Sequence, residues 1–103
     1  MKIFVTVQFE AFHKWNEAPE EVSFLRNLHR HLFYCRLTWP VSSDDREREF
    51  FIMKHKVEKF VQKHFSGKNL NNSSCEQIAL ILKKEFDCCE VSVSEDNENG
   101  AIV

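Results

Sequence analysis

The chain has 103 residues and a formal net charge of -2, with acidic and basic side chains interleaved, so its overall field gives no argument for nucleic-acid or membrane-surface binding. Ten Phe and two Trp beside only two Gly and two Pro describe one ordered domain, residues 1–103, too small for an elaborate site without help from neighbouring subunits. Four cysteines with no C-x-x-C pair read as free, reduced thiols rather than as disulfides or a thiolate zinc site.

The opening MKIFVTVQFE alternates, with Ile3, Val5, Val7 and Phe9 on one parity and Lys2, Thr6 and Gln8 on the other. A period of two predicts a half-buried strand, not the apolar run of a signal peptide or membrane span, so a cytoplasmic protein is expected. HKWNEAPEEVSF, with Pro19 and a cluster of carboxylates, reads as a surface excursion or a short helix. HLFYCRLTW is rich in aromatic and β-favouring residues and predicts a second strand ending at Pro40. In SSDDREREFFIMKHKVEKFVQKHF, Ser42 to Asp45 offer N-cap candidates, and Phe50, Met53, Val57, Phe60, Val61 and His64 recur at helical spacing. That pattern predicts a long amphipathic helix, broken by Gly67 and NLNN. Ser73 with Glu76 makes a capping-box pattern for a second helix, with Cys75, Ile78, Ala79, Leu82 and Phe86 on one face. CCEVSVSE alternates again, DNENG reads as a turn, and AIV closes the chain. The order ββααββ predicts an α+β fold, an antiparallel sheet with two helices on one face and open edges that favour oligomerisation.

Three histidines fall into this frame. Residues two apart on a strand point the same way, so His29 and His31 converge, and His13 shares the parity of Val5, Val7 and Phe9. Pairing the first two strands as a hairpin brings His13 near them, and three imidazoles with an open fourth position are the ligand set of a catalytic zinc ion. Spacing alone leaves a second reading, a partly exposed polar strand edge with His13 packed beside Trp15. Glu95, on the parity of Val91 and Val93, is either a solvated turn residue or one that points as they do.

FEAFH and LHRHLF resemble the F-x-A-A-H and H-G-H-N-[YF] signatures of the 6-pyruvoyltetrahydropterin synthase and 6-carboxytetrahydropterin synthase family. EFFIMK, residues 49–54, is similar to the family's D-F-x-x-L-K helix opening, and SSCEQIA, residues 73–79, to its P-T-[AS]-E-N-x-A opening. VSVSEDNENGAI, residues 91–102, resembles its closing V-x-V-x-E-T hairpin. The resemblance spans nearly the whole chain and implies the tunnelling fold, or T-fold, with Zn2+ held by His13, His29 and His31. It further implies Glu95 gripping the guanidine-like edge of a pterin or purine-like small molecule, where an ionised carboxylate suits two N–H donors. Homo-oligomers that join sheets into a hexamer-like barrel are expected from the same source, while the charge pattern leaves no nucleic acid and no membrane expected as partners. So is lyase chemistry on 7,8-dihydroneopterin triphosphate, in tetrahydropterin or queuosine-type 7-deazaguanine biosynthesis.

The pattern also departs from the family. Where its members carry a catalytic cysteine, about four residues before H-x-H, this chain has Leu25, which can neither take nor give a proton. Cys35 lies beyond the histidine pair and reads as a small buried hydrophobe. The D-H-x-x-L-N segment has only an echo in KHFSGKNLN, with His64 the nearest counterpart of the catalytic histidine and Lys63 in the aspartate's place. A histidine on the apolar face of a helix is otherwise a core or edge residue. Arg30 replaces the glycine of H-G-H. Two functions follow: a divergent zinc enzyme whose base is His64, Glu20 or Glu21, or a binding protein that keeps zinc and Glu95 and no longer turns its ligand over.

Overall fold

The computed structural model describes residues 1–103. Strand β1 (Lys2–His13) is followed by a 3-10 helix (Glu20–Arg26), β2 (His29–Pro40), α1 (Phe50–His64), α2 (Cys75–Phe86), β3 (Glu90–Glu95) and β4 (Asn99–Ile102). The strands form one antiparallel sheet in the order β1-β2-β3-β4. This is the expected α+β arrangement, and the excursion after β1 takes the short-helix option.

Strand alternation fixes which face is buried. Val5, Val7, Phe9 and Ala11 of β1, Phe33, Cys35, Leu37 and Trp39 of β2, and Val91 and Val93 of β3 share one face. Both helices cover it with Val57 and Val61 of α1 and Ile78, Ala79 and Leu82 of α2. Trp39 is wholly buried and satisfies its indole N–H by donating to the Phe86 carbonyl at the end of α2, 2.9 Å away. The opposite face carries Thr6, Gln8, Arg36 and Ser92.

Helix starts differ from the propensity reading. The first helix begins at Phe50 with Glu49 as its N-cap, its carboxylate accepting from the Ile52 N–H at 2.9 Å. Ser42 to Asp45 cannot serve, because the Glu47 carboxylate gathers the Ser42 and Ser43 N–H groups, each at 3.0 Å, into a loop. Arg46, at φ 51°, interrupts any helical run there. In the second helix the capping box is shifted by one residue from Ser73 and Glu76 to Ser74 and Gln77. This frees the Ser73 carbonyl and the Glu76 side chain for other uses.

The end of β1 is pinned on its outer side. Residues 67–71 run parallel to it, with Phe12 N–H donating to the Lys68 carbonyl, Leu70 N–H to Phe12, and Lys14 N–H to Asn71. From Lys2 to Gln8 that edge of β1 has no partner, and neither has the outer edge of β4.

Candidate metal centre

Register brings the histidines together. His13 lies opposite His29 and Ala11 opposite His31 in the β1–β2 pair, while Phe33 lies opposite Glu95 in the β2–β3 pair. All of these side chains emerge on the helix-covered face, at the end of the sheet where the aliphatic core stops. The three imidazoles meet edge to face, with ring centroids 4.6, 5.1 and 4.9 Å apart, above the buried Phe33 ring. One donor nitrogen from each lies within 4.8 Å of the others.

The other nitrogen of each ring is already engaged. Nδ1 of His13 is 2.8 Å from the Ser73 carbonyl, Nδ1 of His29 is 2.8 Å from the Asn27 carbonyl, and Nδ1 of His31 is 2.7 Å from Asp96 Oδ2. Oxygens of this kind only accept, so each Nδ1 carries the proton and, in the neutral ring, each Nε2 presents a lone pair. Nε2 of His13 and of His31 is buried and makes no hydrogen bond. Such atoms are costly unless something occupies them.

Glu95 adds charge. Its Oε1 is 3.1 Å from His13 Nε2 and its Oε2 is 3.5 Å from His31 Nε2, close charge contacts out of hydrogen-bonding alignment. A lone pair facing a carboxylate at that range repels, and a positive charge on or between the two reverses the sign. The Glu95 carboxylate, opposed by burial and helped by the Ser73 carbonyl, raises the His13 pKa. His13 in turn, against the effect of burial, holds the Glu95 carboxyl below its ordinary value. Three converged imidazoles with tethered Nδ1 atoms fit a zinc ion equally well, since metal-ligating histidines characteristically donate their second N–H to a carbonyl or carboxylate.

No family model matches the sequence, and no curated protein is similar to it in sequence. Solved structures are similar in fold. The 6-pyruvoyl tetrahydropterin synthase of Caenorhabditis elegans superposes with a TM-score of 0.76 at 13% identity, covering 100% of this chain and 94% of the other. The Plasmodium vivax enzyme, in a variant that replaces a catalytic glutamate by alanine, gives 0.66 at 19% identity, covering 100% and 97%. That of Plasmodium falciparum gives 0.59 at 20% identity, covering 99% and 96%. This chain has the T-fold of 6-pyruvoyl tetrahydropterin synthases.

On that fold, a cleft of about 510 Å³ opens beside the histidines. His13 and His29 line it with Lys14, Trp15, Leu25, Glu76 and Glu95. Leu25 is held there because its carbonyl accepts from the Trp15 N–H at 2.7 Å, closing the excursion after β1. Cys75 lines the cleft too, but burial, with the Glu95 and Glu76 carboxylates, pushes its thiol up to about 12, so it is no thiolate base. Cys35 is buried in the core, as expected, and its thiol is likewise pushed up to about 12 by burial.

Other sequence candidates lie elsewhere. His64 ends α1 on its exposed side, tilted against the Phe60 ring with centroids 4.3 Å apart, rather than on the apolar face, and does not line the cleft. Glu20 and Glu21 are exposed and outside it, with Glu20 facing Arg26 at 3.3 Å. Sequence reasoning missed Glu76 as a site residue because it was assigned to the capping box. Asp96 was passed over as a turn residue. Only the shift of the cap to Gln77 and the fold of the β3–β4 turn reveal them.

Proposed function

We propose that this chain is a zinc-dependent protein of tetrahydropterin-synthase type that takes a pterin such as 7,8-dihydroneopterin triphosphate, or a purine-like ring, in its cleft. The carrying observation is the set of three imidazoles whose Nδ1 atoms are all tethered, with the Nε2 atoms of His13 and His31 buried and unbonded. His13, His29 and His31 would hold the metal, whose chemistry there is polarisation of a substrate oxygen.

Two carboxylates serve the organic ligand. Glu76 lines the cleft and suits the guanidine-like edge of the ring. Glu95, expected at that edge, sits against His13 and His31 and suits the part of the ligand nearest the metal, where a carboxylate can accept a proton. A glutamate that is a catalytic residue in the Plasmodium vivax synthase supports a carboxylate as a reacting group on this fold. The open edges of β1 and β4 support assembly with further copies of the chain.

A second reading is favoured by Leu25, which fills the expected base position with an inert side chain at the cleft wall. In it the protein captures the pterin without converting it. Elemental analysis for zinc, followed by calorimetric titration with 7,8-dihydroneopterin triphosphate and assay of triphosphate release in the same sample, tests both. Zinc, binding and release support the enzyme; zinc and binding without release support capture. Absence of both zinc and binding overturns the proposal.

A further inference from the structure

The three tethers of the histidine set are not alike. His13 and His29 donate to neutral backbone carbonyls, of Ser73 and Asn27. His31 alone donates to a carboxylate, Asp96 Oδ2 at 2.7 Å. The other oxygen of the same carboxylate, Oδ1, accepts the Leu32 N–H at 3.0 Å, next to His31 in β2. The Asp96 N–H closes the arrangement by donating to the Leu32 carbonyl at 2.8 Å.

Resting on the zinc reading above, we infer that Asp96 is a positioning residue for the metal. It locks His31 in the tautomer with Nε2 free and makes it the strongest of the three donors. An imidazole whose far N–H is drawn toward an anion places more electron density on its other nitrogen, and such outer partners set metal affinity. Geometry explains why the residue is Asp. Residues 96 and 97 have φ 53° and 59°, left-handed values that Asp and Asn tolerate and most residues do not. The contact to the histidine and the contact to the Leu32 N–H need two acceptor oxygens on one short side chain. Asparagine has the backbone tolerance but only one acceptor oxygen, so it can keep the turn or the clamp and not both.

Asp96→Asn is therefore the informative variant, with metal affinity read by competition between the protein and a chelator of known zinc affinity. The expected result is a loss of between about tenfold and a hundredfold relative to the unsubstituted chain, with an unchanged melting temperature of the metal-free form. In the metal-free proteins, nitrogen-detected NMR of the His31 ring should show a single Nδ1–H tautomer in the unsubstituted chain and a mixture in Asp96→Asn. A purely structural role in the turn would instead lower the melting temperature and leave the ring spectrum alone. Equal zinc affinity and equal tautomer in both proteins overturns the inference while leaving the metal centre standing. An unsubstituted chain that takes up no zinc overturns the metal centre and this inference together.

Discussion

The carbonyl of Ser73 accepts a hydrogen bond from Nδ1 of His13 at 2.8 Å, across 60 residues of sequence. The contact exists because residues 67–71 run along the end of β1 and because α2 is capped at Ser74, which leaves the preceding carbonyl pointing at the strand. One backbone oxygen thus sets which nitrogen of a buried ring faces the cleft.

Zinc should stabilise the folded chain. A ligand that binds only the native state at a hundred times its dissociation constant contributes about 2.7 kcal/mol, a rise on the order of 10 °C in melting temperature for a domain of this size. Differential scanning calorimetry with zinc and with a chelator should show that rise, and His13→Ala and His31→Ala should abolish it. Coincident curves for the unsubstituted protein in the two conditions would sink the metal centre.

Leu25 lines the cleft, and on the proposed enzyme reading it stands where an acid–base group is expected. Leu25→Cys should release triphosphate from 7,8-dihydroneopterin triphosphate faster than the unsubstituted chain, by at least about the hundredfold that a positioned acid–base group supplies. An enzymatic phosphate assay checks this. No gain, in a variant that still binds zinc, would show that a thiol at this wall cannot reach the reacting proton.

Thiol reactivity should separate the four cysteines. Cys35, Cys75 and Cys88 are buried, each with its thiol pushed up to about 12, first by burial, whereas Cys89 is exposed. Since the thiolate is the reacting form, titration with a chromogenic disulfide near neutral pH should modify Cys89 alone, with the other three reacting only after denaturation. Rapid labelling of Cys75 in the native protein would contradict its protonated, sheltered state.

The two glycines should respond differently to alanine. A Cβ at Gly100 would collide with the Val93 carbonyl oxygen and meet Ser94 Cα at 2.6 Å, backbone atoms that cannot step aside without parting β3 from β4. Gly67 has open space around it but a φ of 71°. Gly67→Ala should cost about 1–2 kcal/mol, the left-handed penalty, and Gly100→Ala more, with loss of cleft geometry as well. Chemical denaturation of both variants ranks them, and a larger effect at Gly67 would be the contrary result.

Local pattern determined much of this protein. Alternation in Ile3–Phe9 and in Val91–Glu95 assigned strands and their buried parity, because side chains on a strand switch faces at every residue. Helical spacing from Phe50 to Val61 and from Cys75 to Phe86 assigned the helices, and the same-side rule paired His29 with His31. The order of elements predicted an antiparallel sheet with both helices on one face. Tertiary structure decided the rest. Whether His13 meets His29 depends on register, where a slip of one residue would turn His13 to the other face. Which nitrogen of His13 and of His31 is free depends on Ser73 and Asp96, brought in from 60 and 65 residues away. His64, at helical spacing with the apolar residues, ended on the exposed side, and Glu20 and Glu21 ended outside the cleft. Glu76 entered it because the helix cap moved by one residue. Spacing along a chain encodes the direction of a side chain relative to its own strand or helix, whereas a site needs the positions of several elements relative to one another, and those are set only when the core packs.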